Sequence, residues 1–104
     1  MAELKNRMRP VHPGEILKED VLASMGLSAN ALARELRVPV TRISEILHGR
    51  RSITADTALR LARYLGTTAQ FWLNLQSSYD IKVAEQAPGR RIEREIHPRD
   101  PVAA

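Results

Sequence analysis

Four side chains in the middle of this sequence have the types and spacing needed to contact the edges of DNA bases. They are Val40, Thr41, Ser44 and Glu45. Thr and Ser hydroxyls donate or accept hydrogen bonds, Val and Thr methyl groups contact a thymine methyl, and a Glu carboxylate accepts from cytosine N4. The pattern predicts base reading, provided that the four side chains share one helix face in a major groove about 12 Å wide.

Basic and polar residues on either side of this group could hold phosphates, which position a protein on DNA without reading its sequence. The chain has 16 Lys and Arg against 12 Asp and Glu, a formal net charge of +4. The largest positive excess falls within residues 28–53. A surplus of this size is also typical of a solvated face, so charge alone leaves the partner open. The candidate phosphate anchors are Ser28, Asn30, Arg37, Arg42, His48, Arg50 and Arg51.

Two short helices joined by a tight turn would position both groups. Ser28 is a good N-cap for a helix over 29–36. Pro39 cannot continue that helix, so the chain must turn there and restart as a second helix over 40–47, which Gly49 ends. The arrangement is typical of a DNA-binding helix-turn-helix, although similar helix pairs are also common in all-α proteins of other functions.

Three further helices complete an all-α fold class. Apolar residues recur at helical spacing over 13–25, from the N-cap Thr54 to Gly66, and from Thr67 or Thr68 to about Glu85. The predicted organisation is an N-terminal arm over 1–12, a helix-turn-helix domain with a C-terminal dimerisation helix over 13–87, and a tail over 88–104. Within that tail, residues 90–97 alternate loosely and are expected to pair as a strand when docked.

The fifth helix gathers three of the four aromatic residues. Its apolar side consists of Phe71, Trp72, Leu75 and Tyr79, which we predict to form a homodimer interface. Aromatic residues at helical spacing usually belong to a core or an interface, and base stacking or ligand binding are the alternatives.

Composition argues against several other classes of function. The chain has no Cys, and its three His are isolated from one another and from carboxylates at ligand spacing. We find no nucleophile–base pair and no glycine loop for phosphates, so we expect no enzyme activity, no metal and no cofactor. His12 is expected to set the first turn of helix one. With no apolar run long enough for a membrane span and no signal peptide, we expect a cytoplasmic protein.

The helix pair resembles that of phage-repressor and Cro-like regulators of the XRE type. The matching residues are Leu27-Ser28, Ala31-Leu32-Ala33, Leu36, Val38, Ile43-Ser44, Ile46-Leu47, Gly49 and Arg51. Three further segments make the resemblance narrower, because together they look like the HigA antitoxins of toxin–antitoxin modules. These are 12–17 (HPGEIL), 58–62 (ALRLA) and 71–76 (FWLNLQ) followed by Tyr79-Asp80.

The resemblance implies a five-helix phage-repressor-like domain that acts as a homodimer. It implies a repressor that binds a palindromic operator in double-stranded DNA, and an antitoxin that neutralises HigB, an mRNA-cleaving toxin of the RelE type. The amide side chains with which phage repressors read bases are missing at the matching positions, so no operator sequence is implied. Two alternatives stay open, namely a stand-alone transcription regulator without a toxin partner and a protein-binding adaptor.

Overall fold

The structure, a computed structural model, describes residues 9–100, and over these residues the chain forms six helices and no strand. The predicted arm and tail therefore lie partly outside the described residues. Among residues 9–100, none of the helices combines the length and the apolar composition that a membrane span requires. The helices are α1 (Pro13–Ile16, continued by Leu17–Leu22 and Ala23–Met25), α2 (Ala29–Leu36), α3 (Val40–Leu47), α4 (Ala55–Leu65), α5 (Ala69–Gln86) and α6 (Pro88–Glu95).

Local signals define most helix ends. The hydroxyl oxygens of Ser28, Thr54 and Thr68 accept hydrogen bonds from backbone N–H groups in the first turns of α2, α4 and α5. His12 does the same for α1, because its Nδ1 accepts from the N–H of Gly14 at 2.9 Å. The all-α class, the first five helices and the role of His12 are thereby confirmed.

The turn between α2 and α3 lies where Pro39 predicts it. Arg37 ends α2 in the left-handed conformation with φ 58°, and the N–H of Val38 donates to the carbonyl of Ala33 at 3.0 Å. Pro39 is extended and starts α3. Only Arg37, Val38 and Pro39 thus separate the two helices of the pair.

One hydrophobic core lies between the helices. Its buried members come from α1, α2, α3, α4, α5 and the loop before α4: Leu17, Leu22, Leu32, Ala33, Leu36, Ile43, Ile46, Ile53, Ala58, Leu61 and Trp72. Trp72 is fully buried, and its indole Nε1 donates to Thr67 Oγ1 at 2.8 Å. The polar tip of this large side chain is therefore satisfied at the edge of the core.

Residues 88–95 form a helix, so the expectation of a strand in the tail is wrong. Pro88 ends α5 and also occupies the first turn of α6, where its missing N–H leaves no hydrogen bond unmade. An Arg91–Glu95 pair at 3.7 Å then lies along one helix face. The far end of α5 and the whole of α6 are solvent-exposed apart from Gly89.

Helices α1 and α3 touch backbone to backbone at Gly14. A Cβ added at Gly14 would overlap the carbonyl oxygen of Ile46, and Gly14 is itself buried. The absence of a side chain at this position is therefore what allows α3 to lie at its observed distance from α1.

We expect Gly14→Ala to lower the free energy of unfolding by about 3 kcal/mol, because the new methyl group must push α1 and α3 apart. Urea unfolding followed by circular dichroism measures the change. Gly66→Ala is the control, since position 66 has φ 76° but open space around it and should cost only about 1 kcal/mol of backbone strain. Equal losses for the two variants would contradict the backbone contact.

Candidate nucleic-acid interface

The four predicted base-reading residues lie on one face of α3. Ile43 and Ile46 are buried on the opposite face, whereas Val40 and Thr41 are exposed and Ser44 and Glu45 are partly exposed. This division follows from helical spacing, since positions three and four apart share a face. The structure brings the four side chains together as one accessible surface at the start and middle of α3.

Arg42 differs from the other candidate phosphate anchors because its guanidinium is turned towards α4. Its Nη1 lies 2.7 Å from Asp56 Oδ2 and donates more weakly to Thr57 Oγ1 at 3.5 Å. The same carboxylate oxygen accepts from Arg60 Nε at 2.9 Å. Arg42 thus holds α3 against α4, a role that the sequence did not suggest.

Arg60 extends this network to the end of α2. Its Nη1 donates to the carbonyl of Leu36 at 2.8 Å, one of the carbonyls that a helix C-terminus leaves without an intrahelical partner. Hydrogen bonds from Arg60 and then from Arg42 lower the pKa of Asp56. Asp56 therefore stays ionised and ties both helices of the pair to α4.

The remaining candidate anchors lie at the two ends of α2 or directly after α3. The hydroxyl oxygen of Ser28 accepts from the N–H of Ala31 at 3.1 Å, which leaves its O–H to donate to a phosphate. Ring nitrogen Nδ1 of His48 lies 2.7 Å from the carbonyl of Ser44, at the end of α3. Three further anchors are exposed: Asn30, Arg37 and Arg50.

Arg51 and Glu45 form an ion pair. Nε of Arg51 donates to Glu45 Oε1 at 2.8 Å, and Nη2 lies 2.7 Å from the same oxygen. A predicted phosphate anchor and a predicted base reader are therefore partners of one another. Sequence spacing alone contains no signal for this contact, because the two residues are separated by the turn at Gly49.

The loop after α3 is held in place from α5 and from α1. The N–H of Ile53 donates to Gln76 Oε1 at 2.7 Å, and Gln76 Nε2 donates to Asp80 Oδ1 at 3.0 Å. Gln76 is only 5% exposed. A polar residue at helical spacing from Trp72, on the apolar side of α5, was the available signal for this role.

His12 lies on the other side of the loop. Its ring packs edge-on against Tyr79 with 4.9 Å between ring centroids. Burial lowers the pKa of His12, although a backbone hydrogen bond with Arg51 and the charges of Asp80 and Glu15 oppose this effect. The neutral ring is also the form whose Nδ1 can accept from the N–H of Gly14.

The four residues predicted for a dimer interface differ in their exposure to solvent. Trp72 has no exposed surface in the single chain, so its assignment to an interface is wrong. The reason is that its indole belongs to the core of the single chain and donates to Thr67, directly before α5. Phe71 is 44% exposed beside it, while Leu75 and Tyr79 are partly buried within the chain.

The sequence of this chain is similar to those of known proteins over most of its length. A family model described as helix-turn-helix matches residues 17–72. The chain is 61% identical over 82 residues to virulence-associated protein I of Dichelobacter nodosus, covering 79% of this chain and 76% of the relative.

Two solved structures are similar over most of their length. An addiction module antidote protein of a HigA family from Coxiella burnetii is 56% identical, with a TM-score of 0.84 over 88% of this chain and 99% of that one. Pseudomonas aeruginosa antitoxin HigA with the higBA promoter is 49% identical, with a TM-score of 0.85 over 86% and 98%.

We expect the free energy of unfolding to fall as the pH drops below about 6.5. The folded-state pKa of His12 is below its usual value, so the stabilisation is complete above the unfolded-state pKa. It is lost between that value and the lower folded-state pKa, where only the unfolded chain binds the proton. Urea unfolding at several pH values measures this.

His12→Asn should flatten the pH dependence, because the Asn side-chain oxygen caps the helix without titrating in this range. His97→Asn is the matched control and should keep the slope, since His97 is exposed beyond α6. If His12→Asn keeps the pH dependence of the free energy of unfolding, a group other than His12 is responsible for that dependence.

Proposed function

Because the chain belongs to the HigA antitoxins of the helix-turn-helix family, we propose that it binds and represses its own operon through α3 and neutralises a HigB-type toxin. The observation that carries the DNA-binding part is the exposed face of α3, together with the exposure of Ser28, Asn30 and the basic loop after Gly49. The proposal assigns no catalytic step to any residue and places the protein in the cytoplasm, with the DNA.

The geometry suits a helix that enters the major groove with its N-terminal end. Val40 and Thr41 would approach base edges there, and Ser44 would reach them one turn further on. The start of α2 would meet the backbone through the hydroxyl of Ser28, since helix N-termini attract phosphate. The positive excess around α3 would speed association and make the affinity fall with salt.

A palindromic operator requires two protomers whose α3 helices are about one turn of DNA apart, some 34 Å. The surface we propose for self-association is the exposed apolar part of α5 with α6. It contains Phe71, Ile81 and Val83 of α5, Ile92 of α6 and Ile96, which directly follows α6; these residues are 41–65% exposed. This surface replaces the one centred on Trp72, and it lies on the helices that contribute least to the core of the single chain.

Gel shifts and fluorescence anisotropy with the DNA upstream of the gene test the DNA-binding function. Arg50→Ala should weaken binding to this DNA and to an unrelated duplex alike, and should reduce the salt slope by about one unit. Thr41→Val replaces a hydroxyl group by a methyl group of similar size, so it should weaken binding to the upstream DNA selectively. Two protomers should bind per operator.

The matched control is Arg94→Ala, which removes the same charge from α6, away from α3. A loss equal to that of Arg50→Ala would mean that net charge alone drives binding. If the chain prefers neither duplex, the repressor function is refuted.

The antitoxin part predicts that co-expression of this chain restores growth to cells that express the neighbouring toxin gene. Because neutralisation is proposed to act by direct binding, the two products should also purify together from tagged toxin. Arg50→Ala should still rescue growth, since its role is on DNA. Absence of rescue and of co-purification would favour the alternative, a stand-alone regulator.

A further inference from the structure

We propose that Arg51 reads a guanine in the major groove and that Glu45 is the residue that positions it. These roles differ from those expected from the sequence, which were a phosphate anchor for Arg51 and a cytosine contact for Glu45. The inference rests on the proposed DNA-binding function and deepens it by naming a base and the side chain that recognises it.

The ion pair leaves the correct edge of Arg51 for this task. Glu45 Oε1 contacts Nε at 2.8 Å and Nη2 at 2.7 Å, which occupies the Nε side of the guanidinium. The end-on edge, formed by Nη1 and Nη2, is the edge that donates two parallel hydrogen bonds to guanine O6 and N7. Arg51 remains 46% exposed despite the pair, so its side chain is accessible to a ligand.

The backbone around Arg51 is held as firmly as its side chain. The N–H of Arg50 donates to the carbonyl of Glu45 at 2.8 Å. Two residues after Arg51, the N–H of Ile53 is bound by the buried Gln76. An arginine fixed at both levels loses little conformational freedom on binding, which favours a contact of defined geometry with one base.

Charge distinguishes this role from phosphate anchoring. Glu45 and Arg51 together carry no net charge, so the pair adds little to the release of counterions that drives phosphate binding. The adjacent Arg50 is exposed, and no ion pair of the described residues includes it. The structure therefore places a free cation and a neutralised one side by side, suited to phosphate and to base respectively.

The carboxylate of Glu45 is committed to Arg51 through one of its two oxygens. Oε1 is engaged twice by Arg51, so only Oε2 is left to accept from a base. Moving the carboxylate to a base would cost the charge-assisted contact with Arg51, which is stronger than a hydrogen bond to a neutral amino group.

A randomised duplex library selected with the full-length chain tests the inference. Wild type should enrich a guanine at one position of each half-site. Arg51→Ala and Arg51→Lys should lose that preference alone, with an affinity loss of about 10- to 100-fold on the selected site. The salt slope should change less for Arg51→Ala than for Arg50→Ala, the matched control.

Replacing the enriched guanine by 7-deazaguanine removes the N7 acceptor and gives a second readout. It should weaken wild type about tenfold or more and leave Arg51→Ala unaffected. Glu45→Gln should reduce the discrimination at the same base pair, and the double variant Glu45→Gln, Arg51→Ala should lose no more than Arg51→Ala. If Glu45 had only a structural role, Glu45→Gln would weaken binding to the guanine duplex and to the 7-deazaguanine duplex equally.

Two outcomes would overturn the inference. One is an Arg51→Ala variant that keeps the guanine preference and loses affinity on all duplexes with a salt slope reduced by about one unit, as a phosphate anchor would. The other is a Glu45→Gln variant whose altered preference falls at a different base pair from that of Arg51. If wild type enriches no sequence, the DNA-binding function itself fails, and the inference fails with it.

Discussion

The contact between Gly14 and the carbonyl of Ile46 is the constraint on which the placement of α3 depends. Two helices can approach this closely only where one of them lacks a Cβ. His12 caps α1 two residues before Gly14 and also packs beside Gly49 at the end of α3. The first turn of α1 therefore fixes both the depth of α3 and the direction in which the following loop leaves it.

Polar contacts also hold α2, α3 and the loop after α3 in place. Asp56 binds Arg42 and Arg60, and Arg60 in turn satisfies the end of α2, so both helices of the pair are fastened to α4. Gln76 holds the loop from the side of α5. Carboxylates within the protein neutralise some of the positive charge, because Arg42 is paired with Asp56 and Arg51 with Glu45. The charge available to DNA is smaller and more local than the count of arginines suggests.

Prediction from the sequence succeeded where the signal is local. Ser28, Thr54 and Thr68 cap helices because a side-chain oxygen reaches N–H groups of its own next turn, and Pro39 interrupts a helix because it lacks an N–H. It failed for residues 88–95, because a proline such as Pro88, which cannot continue one helix, is well suited to the first turn of the next. It failed for Trp72 because an apolar stripe does not indicate whether a core or a second protomer covers it.

The sequence by itself determined the all-α class, the helix-turn-helix, its exposed face on α3 and membership of the HigA antitoxins. Each of these depends on spacing along one helix or on motifs in order, which the chain displays directly. Tertiary structure alone decided that Arg42 serves the fold, that Glu45 and Arg51 are partners, and that Gln76 holds the basic loop. Such contacts join residues on different elements. An arginine side chain has several rotatable bonds, so its guanidinium can reach many partners until packing selects one.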